Sequence, residues 1–352
     1  MLVQYYYPSS LPANRLDSYL ASGWFRNAQM LYKTKLICLD NDLYSVVNIR
    51  LKIEDYTPSK RFRKIIRKNE ERFRTIVRPA ILDEEKNRLY HAHKNRFEGF
   101  IYNSIKQFFY GEEGYMPLFN TYEVCVYDGD KLIAASFFDL GNNSSASLLG
   151  LYDQEYSKYS LGIYTMLKEI AYTKLLGNKY YYPGYVLDKE TIFDYKLRLG
   201  DIQYYNWPTK RWRKWQPREK MPSDADFLKE KLELIQKGLE AVGIANKRYL
   251  YPLFSIGYLD YFYTRCPAFI ACATDMYKEP YFIIEYWMDE RQFVLSKVQV
   301  IPFDNNPNIV NISESYLEGS NFFDLLSCQE ILLASEDLNV VIEAMKDIYD
   351  YK

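Results

Sequence analysis

The stretch LYDQEYSKYSLGIYTMLKEI, residues 151–170, gathers its chemistry at the entry to a helix. A strand-like run closes on Tyr152-Asp153, and a polar loop follows. Ser160-Leu161-Gly162 then leads into a segment with Ile163, Met166, Leu167, Ile170 and Ala171 on one face. The first N–H groups of a helix have no partner inside it, so such a loop offers them to an anion or a carbonyl oxygen. Asp153 is equally suited to capping the turn. Two clusters concentrate positive charge. Lys60, Arg61, Arg63, Lys64, Arg67 and Lys68 form one dense run, suited to phosphates or to an acidic group. KRWRKW, residues 210–215, interleaves cations and Trp as single-stranded nucleic acid would require. A solvated helix face and a surface linker are the plain alternatives for these two.

Other chemistries are excluded early. His91 and His93 are the only histidines, and their i, i+2 spacing does not share a helix face, which argues against a zinc site or a Ser-His-Asp triad. The five cysteines are odd in number and contain no Cys-x-x-Cys, so neither a disulfide framework nor a cysteine-rich metal site is expected. Lys+Arg 45 against Asp+Glu 46 leaves a formal charge of −1, so nucleic-acid binding would have to be local. The opening MLVQYYYPSSLPANR lacks the basic and apolar regions of a secretory signal, and no apolar run approaches membrane-spanning length. The expectation is a reduced, soluble, cytoplasmic protein with no membrane partner.

The elements that position the loop are legible. TYEVCVYD, KLIAASFFDLG and ASLLGLYD read as strands, joined by Asp128-Gly129-Asp130 and by NNSS. The helix after the loop stops at Gly177, and KYYYPGYVL is a fourth strand whose Pro183-Gly184 predicts a kink or splayed edge. Upstream, residues 1–56 read as a small β-rich unit, Thr57-Pro58-Ser59 as a break and cap, and residues 84–110 as a helix interrupted near Gly99. Downstream, residues 206–217 read as a linker or exposed loop. A capped helix, a hairpin and a C-terminal helix follow, with no assignable chemistry. The predicted layout is 1–56, a core over 57–217 and an extension over 218–352. The fold class is α+β. Three antiparallel strands, a loop, a helix and a strand give an acyltransferase core like that of Gcn5-related N-acetyltransferases, with an α/β C-terminal extension. Such a fold admits an acyl-CoA-dependent N-acyltransferase, but QEYSKYSLG holds one glycine and the bulky Tyr156 and Tyr159 where a CoA loop needs close backbone approach.

The same segment resembles the Tyr-Asp-Pro…Ser-Leu-Gly…Leu…Ile signature of arginyl-tRNA–protein transferases and their bacterial leucyl-transferring relatives. SGWFRNAQMLYKTKLIC is similar to that family's Gly-Trp-Arg-Arg…Tyr segment, and YTPSKRFRKIIRKN to its Pro-Ser-(Lys/Arg)-Ser-x-Arg-(Arg/Lys) segment. YYYPGYVLDKETIFDYKLRLGDIQYYN is similar to its Tyr-x-Leu-Gly-Tyr…Met-x-Tyr-Lys segment. Two departures stand out. YYYPSSLP replaces the family's Cys-x-x-Cys, so no metal or cluster is expected there, and LYHAHKNRFEG ends in Arg96-Phe97 rather than Arg-His.

The resemblance implies transfer of an amino acid, expected to be Arg, from charged tRNA to the α-amine of a protein with an acidic N-terminus. Aminoacyl-tRNA is the co-substrate and no cofactor is implied. Backbone N–H groups around Ser160 and Gly162 would receive the carbonyl oxygen, and Asp153 would bind the amino acid's cationic group or accept a proton. Tyr185, grouped with these as catalytic, would join Tyr152 and Tyr181 in stacking around the terminal adenosine. Lys60, Arg61, Arg63, Lys64 and Arg67 would meet tRNA phosphates or the acidic N-terminal residue, and Trp24, Tyr195 and Lys196 fall on the matched binding motifs. A non-catalytic binding protein that keeps the fold is the alternative from another class.

Overall fold

Runs of apolar residues in the central segments form strands buried on both faces. β8 (Thr121–Asp128), β9 (Lys131–Leu140) and β10 (Ser144–Tyr152) pair antiparallel in chain order. Successive side chains of β8 go to opposite sides. Val126 packs with Leu161 and Tyr164 of α5 (Leu161–Leu175), whereas Cys125 and Tyr127 pack with Leu89 of α3 (Glu84–Lys94) and Ile105 of α4 (Ile105–Tyr110). The computed structural model describes residues 1–94, 96, 100–111, 118–272, 281–303, 310–312 and 320–350.

The sheet extends beyond these strands. Its order is β14 (Arg211–Lys214), β13 (Ile202–Asn206), β5 (Asp42–Lys52), β11 (Tyr180–Tyr182), β10, β9, β8 and β6 (Arg74–Pro79). β4 (Leu36–Leu39) and β12 (Tyr185–Leu187) also pair with β5. KYYYPGYVL is therefore two strands. β11 lies parallel to β10 over Ser144–Ala146 and Tyr180–Tyr182 only. Pro183 then supplies no N–H, Gly184 turns at φ 94°, and β12 pairs with β5 alone. β10 meanwhile shifts register against β9 between Ser147 and Leu149. The two strands part, and a cleft opens between them.

β5 lies inside this sheet, so residue 56 is not a sheet boundary. The preceding chain forms a small antiparallel sheet in the order β1 (Val3–Tyr6), β3 (Met30–Thr34), β2 (Phe25–Asn27). In the C-terminal third, β15 (Lys247–Leu250), β16 (Ala268–Ala271), β17 (Tyr281–Trp287), β18 (Gln292–Ile301) and β20 (Leu325–Ser335) form an antiparallel sheet. α6 (Asp224–Ala241) and α7 (Leu338–Asp350) cover it, and Leu2, Val3, Leu36, Cys38 and Leu43 join its core. β19 (Val310–Ile312) pairs with β7 (Phe100–Tyr102).

Two expectations need correction. Residues 84–110 are α3, β7 and α4 rather than one interrupted helix, and the break expected at Gly99 lies outside the described residues. Residues 206–217 are not a linker: β14 is the outermost strand of the sheet. Its period-two pattern turns Trp212 onto Tyr182 and Tyr205, and Arg50 lies 3.9 Å from the Tyr180 ring centre and 4.5 Å from that of Trp212.

Candidate active site

The diverging strands leave a cleft of about 610 Å³. β10 supplies Ser147, Leu149 and Tyr152 to its wall, and α5 supplies Leu161, Gly162, Met166 and Glu169. Pro183 and the 3₁₀ segment Ile192–Leu199, with Tyr195 and Lys196, close the far side. His93 and Arg96 reach in from α3 and just beyond it.

The polar loop is a short 3₁₀ segment, Gln154–Tyr159, ending at Ser160 with φ 54° and ψ 45°. That left-handed turn swings the chain directly into α5. Tyr164 is the first residue to bond back, to the Ser160 carbonyl at 2.9 Å, so the helix leaves the N–H groups of Leu161, Gly162 and Ile163 without intrahelical partners. Leu161, Gly162 and Ile163 all line the cleft. Tyr156 and Tyr159 do not obstruct it, because both pack on Phe73 behind the loop. A Cβ on Gly162 would sit 3.7 Å from the Tyr152 ring, so any side chain there enters the space before these amides.

Beneath them is Glu169, fully buried, with Oε2 accepting a 2.7 Å hydrogen bond from the Tyr181 hydroxyl. Oε1 has no hydrogen bond of good geometry. Burial pushes this carboxyl up to about 7, against the lowering influence of Ser136, Tyr181 and Ser147. Glu169 was not anticipated from the sequence. A signal was present: Thr165, Glu169 and Thr173 recur every four residues on the buried side of α5, a polar stripe beside Met166 and Ile170.

Three cationic or titratable groups share the cleft. Lys196 donates to the Tyr185 carbonyl at 3.0 Å, and desolvation lowers its ammonium to about 8. Arg96 donates to the Tyr152 hydroxyl at 2.6 Å. The His93 ring nitrogen Nδ1 lies 3.2 Å from the Tyr152 carbonyl and 3.3 Å from its N–H. Burial pushes its imidazole down, the backbone hydrogen bond opposes this, and Arg96 adds to the fall.

The structure thus brings together Tyr152, Ser160, Gly162, Tyr195 and Lys196. Others lie elsewhere. Asp153 caps the 3₁₀ segment, accepting from Glu155 N at 3.0 Å, and pairs with Lys131 at 2.7 Å. These partners hold its carboxyl below the usual range despite partial burial, and it does not line the cleft. Tyr181 is wholly buried and has no face on which a base could stack. Tyr185 and Trp24 line a neighbouring cavity of about 330 Å³.

The basic run is α2 (Lys60–Glu70), capped by Ser59, which accepts from Phe62 N. Phe62, Ile65 and Ile66 pack inward with Met166 and Ile170 of α5. Lys60, Arg61, Arg63, Lys64, Arg67 and Lys68 face solvent. This helix is fastened to the cleft's rim: Asn69 donates to the Tyr159 carbonyl at 3.0 Å and Lys68 to that of Lys158 at 3.2 Å. All five thiols are free, and among the described residues no group of three or more His, Cys, Asp or Glu could hold a metal.

A parted-strand cleft with free helix N–H groups above a carboxyl held near neutrality has the equipment of an acyltransferase. Residues 80–206 match the model of the arginine-tRNA-protein transferase C terminus. Two relatives are each named aspartate/glutamate leucyltransferase. That of Leptospira interrogans serovar copenhageni is 25% identical over 206 residues, covering 55% of this chain and 76% of the relative. That of Campylobacter jejuni strain RM1221 is 28% identical over 201 residues, covering 55% and 81%. A solved Gcn5-related glucosamine N-acetyltransferase region of a fungal multi-domain enzyme aligns at 10% identity and TM-score 0.30, over 57% of this chain and 22% of that one. A likeness that low decides nothing about activity or substrate.

Proposed function

We propose that this protein transfers leucine from charged tRNA to the α-amine of a polypeptide that begins with Asp or Glu. The observation that carries the proposal is that α5 presents both the Leu161–Ile163 amides and Glu169 along one wall of a single cleft. An aminoacyl ester is already activated, so alignment with the amine supplies much of the rate; effective molarities reach roughly 10⁵ M or more. The amides would receive the ester carbonyl oxygen as it becomes an oxyanion. The amine attacks the carbonyl carbon and its proton passes to ionised Glu169; the tetrahedral intermediate then breaks the ester C–O bond, and the departing ribose oxygen takes that proton back to leave as the hydroxyl. A carboxyl near 7 is well matched to an α-amine whose ordinary pKa is about 8.

The lining supports an apolar donor over the arginine expected from the sequence. Leu148, Leu149, Leu161, Ile163 and Met166 suit a leucyl side chain. An arginyl group would bring a guanidinium among His93, Arg96 and Lys196. The relatives' names agree with leucine and with acidic acceptors. The exposed cations of α2, held to the rim through Asn69 and Lys68, would carry tRNA phosphates toward the loop.

The test is single-turnover transfer of labelled Leu or Arg from charged tRNA to peptides beginning with Asp, Glu, Arg or Lys. Transfer of Leu to the acidic peptides is expected. Transfer of Arg alone would overturn the donor assignment. Binding of charged tRNA with no transfer to any peptide would favour the non-catalytic reading.

A further inference from the structure

Lys196 stands in a wall shared by two cavities. The cleft and the neighbouring 330 Å³ cavity have Ser147, Leu148, Pro183, Phe193 and Lys196 in common. The charged groups on the far side satisfy each other: Arg26 and Asp139, both nearly inaccessible, pair at 2.9 Å. Lys196 has no such partner. Its ammonium donates to one backbone carbonyl, lies 4.9 Å from the Phe193 ring centre and 5.4 Å from that of Tyr185, and forms no ion pair among the described residues. Gly184 keeps a side chain away from it; a Cβ there would come within 3.5 Å of Nζ. A half-buried cation favours a counter-charge, and one carbonyl with three ring faces is partial compensation. The space beside it is walled by the rings of Tyr185, Phe193 and Tyr195.

The geometry points to Lys196 as the residue that selects an acidic first side chain on the acceptor, its ammonium pairing with the Asp or Glu carboxylate at the junction of the two cavities. The acceptor's α-amine then remains in the cleft that Glu169 also lines. This inference rests on the acyl-transfer reading, and its test separates the two.

Peptides beginning with Asp, Glu, Asn or Gln, labelled at the C-terminus, are titrated by fluorescence anisotropy against the parent, Lys196→Met and Lys196→Arg. The same peptides are used in single-turnover transfer. A charge-assisted hydrogen bond in a desolvated site is worth about ten- to a hundredfold in affinity, so Lys196→Met should lose that much for Asp and Glu peptides and little for Asn and Gln. Lys196→Arg should retain the acidic preference. Charged-tRNA affinity should not move. On the parent, an Asp peptide should protect Lys196 from an amine-acylating reagent, read by mass spectrometry, and an Asn peptide should not. This second measurement needs no variant to fold. A parent without acidic preference, a Lys196→Met protein that keeps it, or absence of protection by the Asp peptide would each overturn the assignment. Acidic preference in binding that depends on Lys196, with no transfer, would leave it standing and remove the acyl-transfer reading.

Discussion

Replacing Glu169 with Gln should make the protein more stable and less active. Gln keeps the side chain's volume and can still accept from Tyr181, but it cannot ionise. The parent's carboxyl has a folded-state value of about 7 against an ordinary 4.5. Below pH 4.5 the group is protonated in both states and costs nothing. Between 4.5 and 7 only the unfolded chain has released the proton, so stability falls as pH rises, and above 7 it levels off. The difference of about 2.5 pKa units, at 1.36 kcal/mol each, makes the loss about 3 kcal/mol. Glu169→Gln abolishes that slope. It should exceed the parent by up to about 3 kcal/mol at pH 8 and match it near pH 4.5. Urea unfolding at half-unit pH steps, followed by tryptophan fluorescence, measures this directly. Removal of a proton acceptor should cost about 10²- to 10⁴-fold in single-turnover transfer, and the limb of the rate profile near pH 7 should vanish with it. Two results would refute the reasoning. One is a parent whose Glu169-dependent stability is flat from pH 4.5 to 7. The other is a variant that transfers at the parental rate.

Tyr181→Phe removes the hydrogen bond to Glu169 and leaves a second buried carboxylate oxygen without a donor. It should cost about 1–3 kcal/mol in urea unfolding at pH 8 and move the transfer profile to higher pH. Asp153→Asn breaks the Lys131 pair but preserves a cap-forming oxygen, so stability should fall by about 1 kcal/mol or less and transfer should hold within a few-fold. A large loss of transfer at unchanged stability would return Asp153 to the mechanism. Combined Gln substitution at Arg61, Arg63 and Arg67 on the exposed face of α2 should weaken charged-tRNA binding and flatten its dependence on salt, by about one counterion for each lost phosphate contact. Parental affinity and salt slope would make this face an ordinary solvated surface.

Local patterning settled much of this molecule in advance. The three central strands, the loop, the start of α5 at Leu161 and the caps at Ser59 and Ser223 are written in short-range residue order, because turn chemistry, apolar runs and capping act over a few positions. Pro183-Gly184 likewise announced a parting of strands, since neither residue can continue a ladder as its neighbours do. What each side chain meets across the fold was decided elsewhere. Asp153 looked equally like a cap and a catalytic group until Lys131, on the adjoining strand, claimed it. KRWRKW looked like a linker because its partner strand, β13, and the packing sites for Trp212 are set by the sheet. Tyr181 and Tyr185 are four residues apart, yet one is sealed beneath Glu169 and the other faces a second cavity. Glu169 passed for one more charge on an amphipathic helix. Its pKa depends on how completely β9, β10, β11 and α5 exclude water around it, and that is a property of several segments brought together, which no single stretch of chain contains.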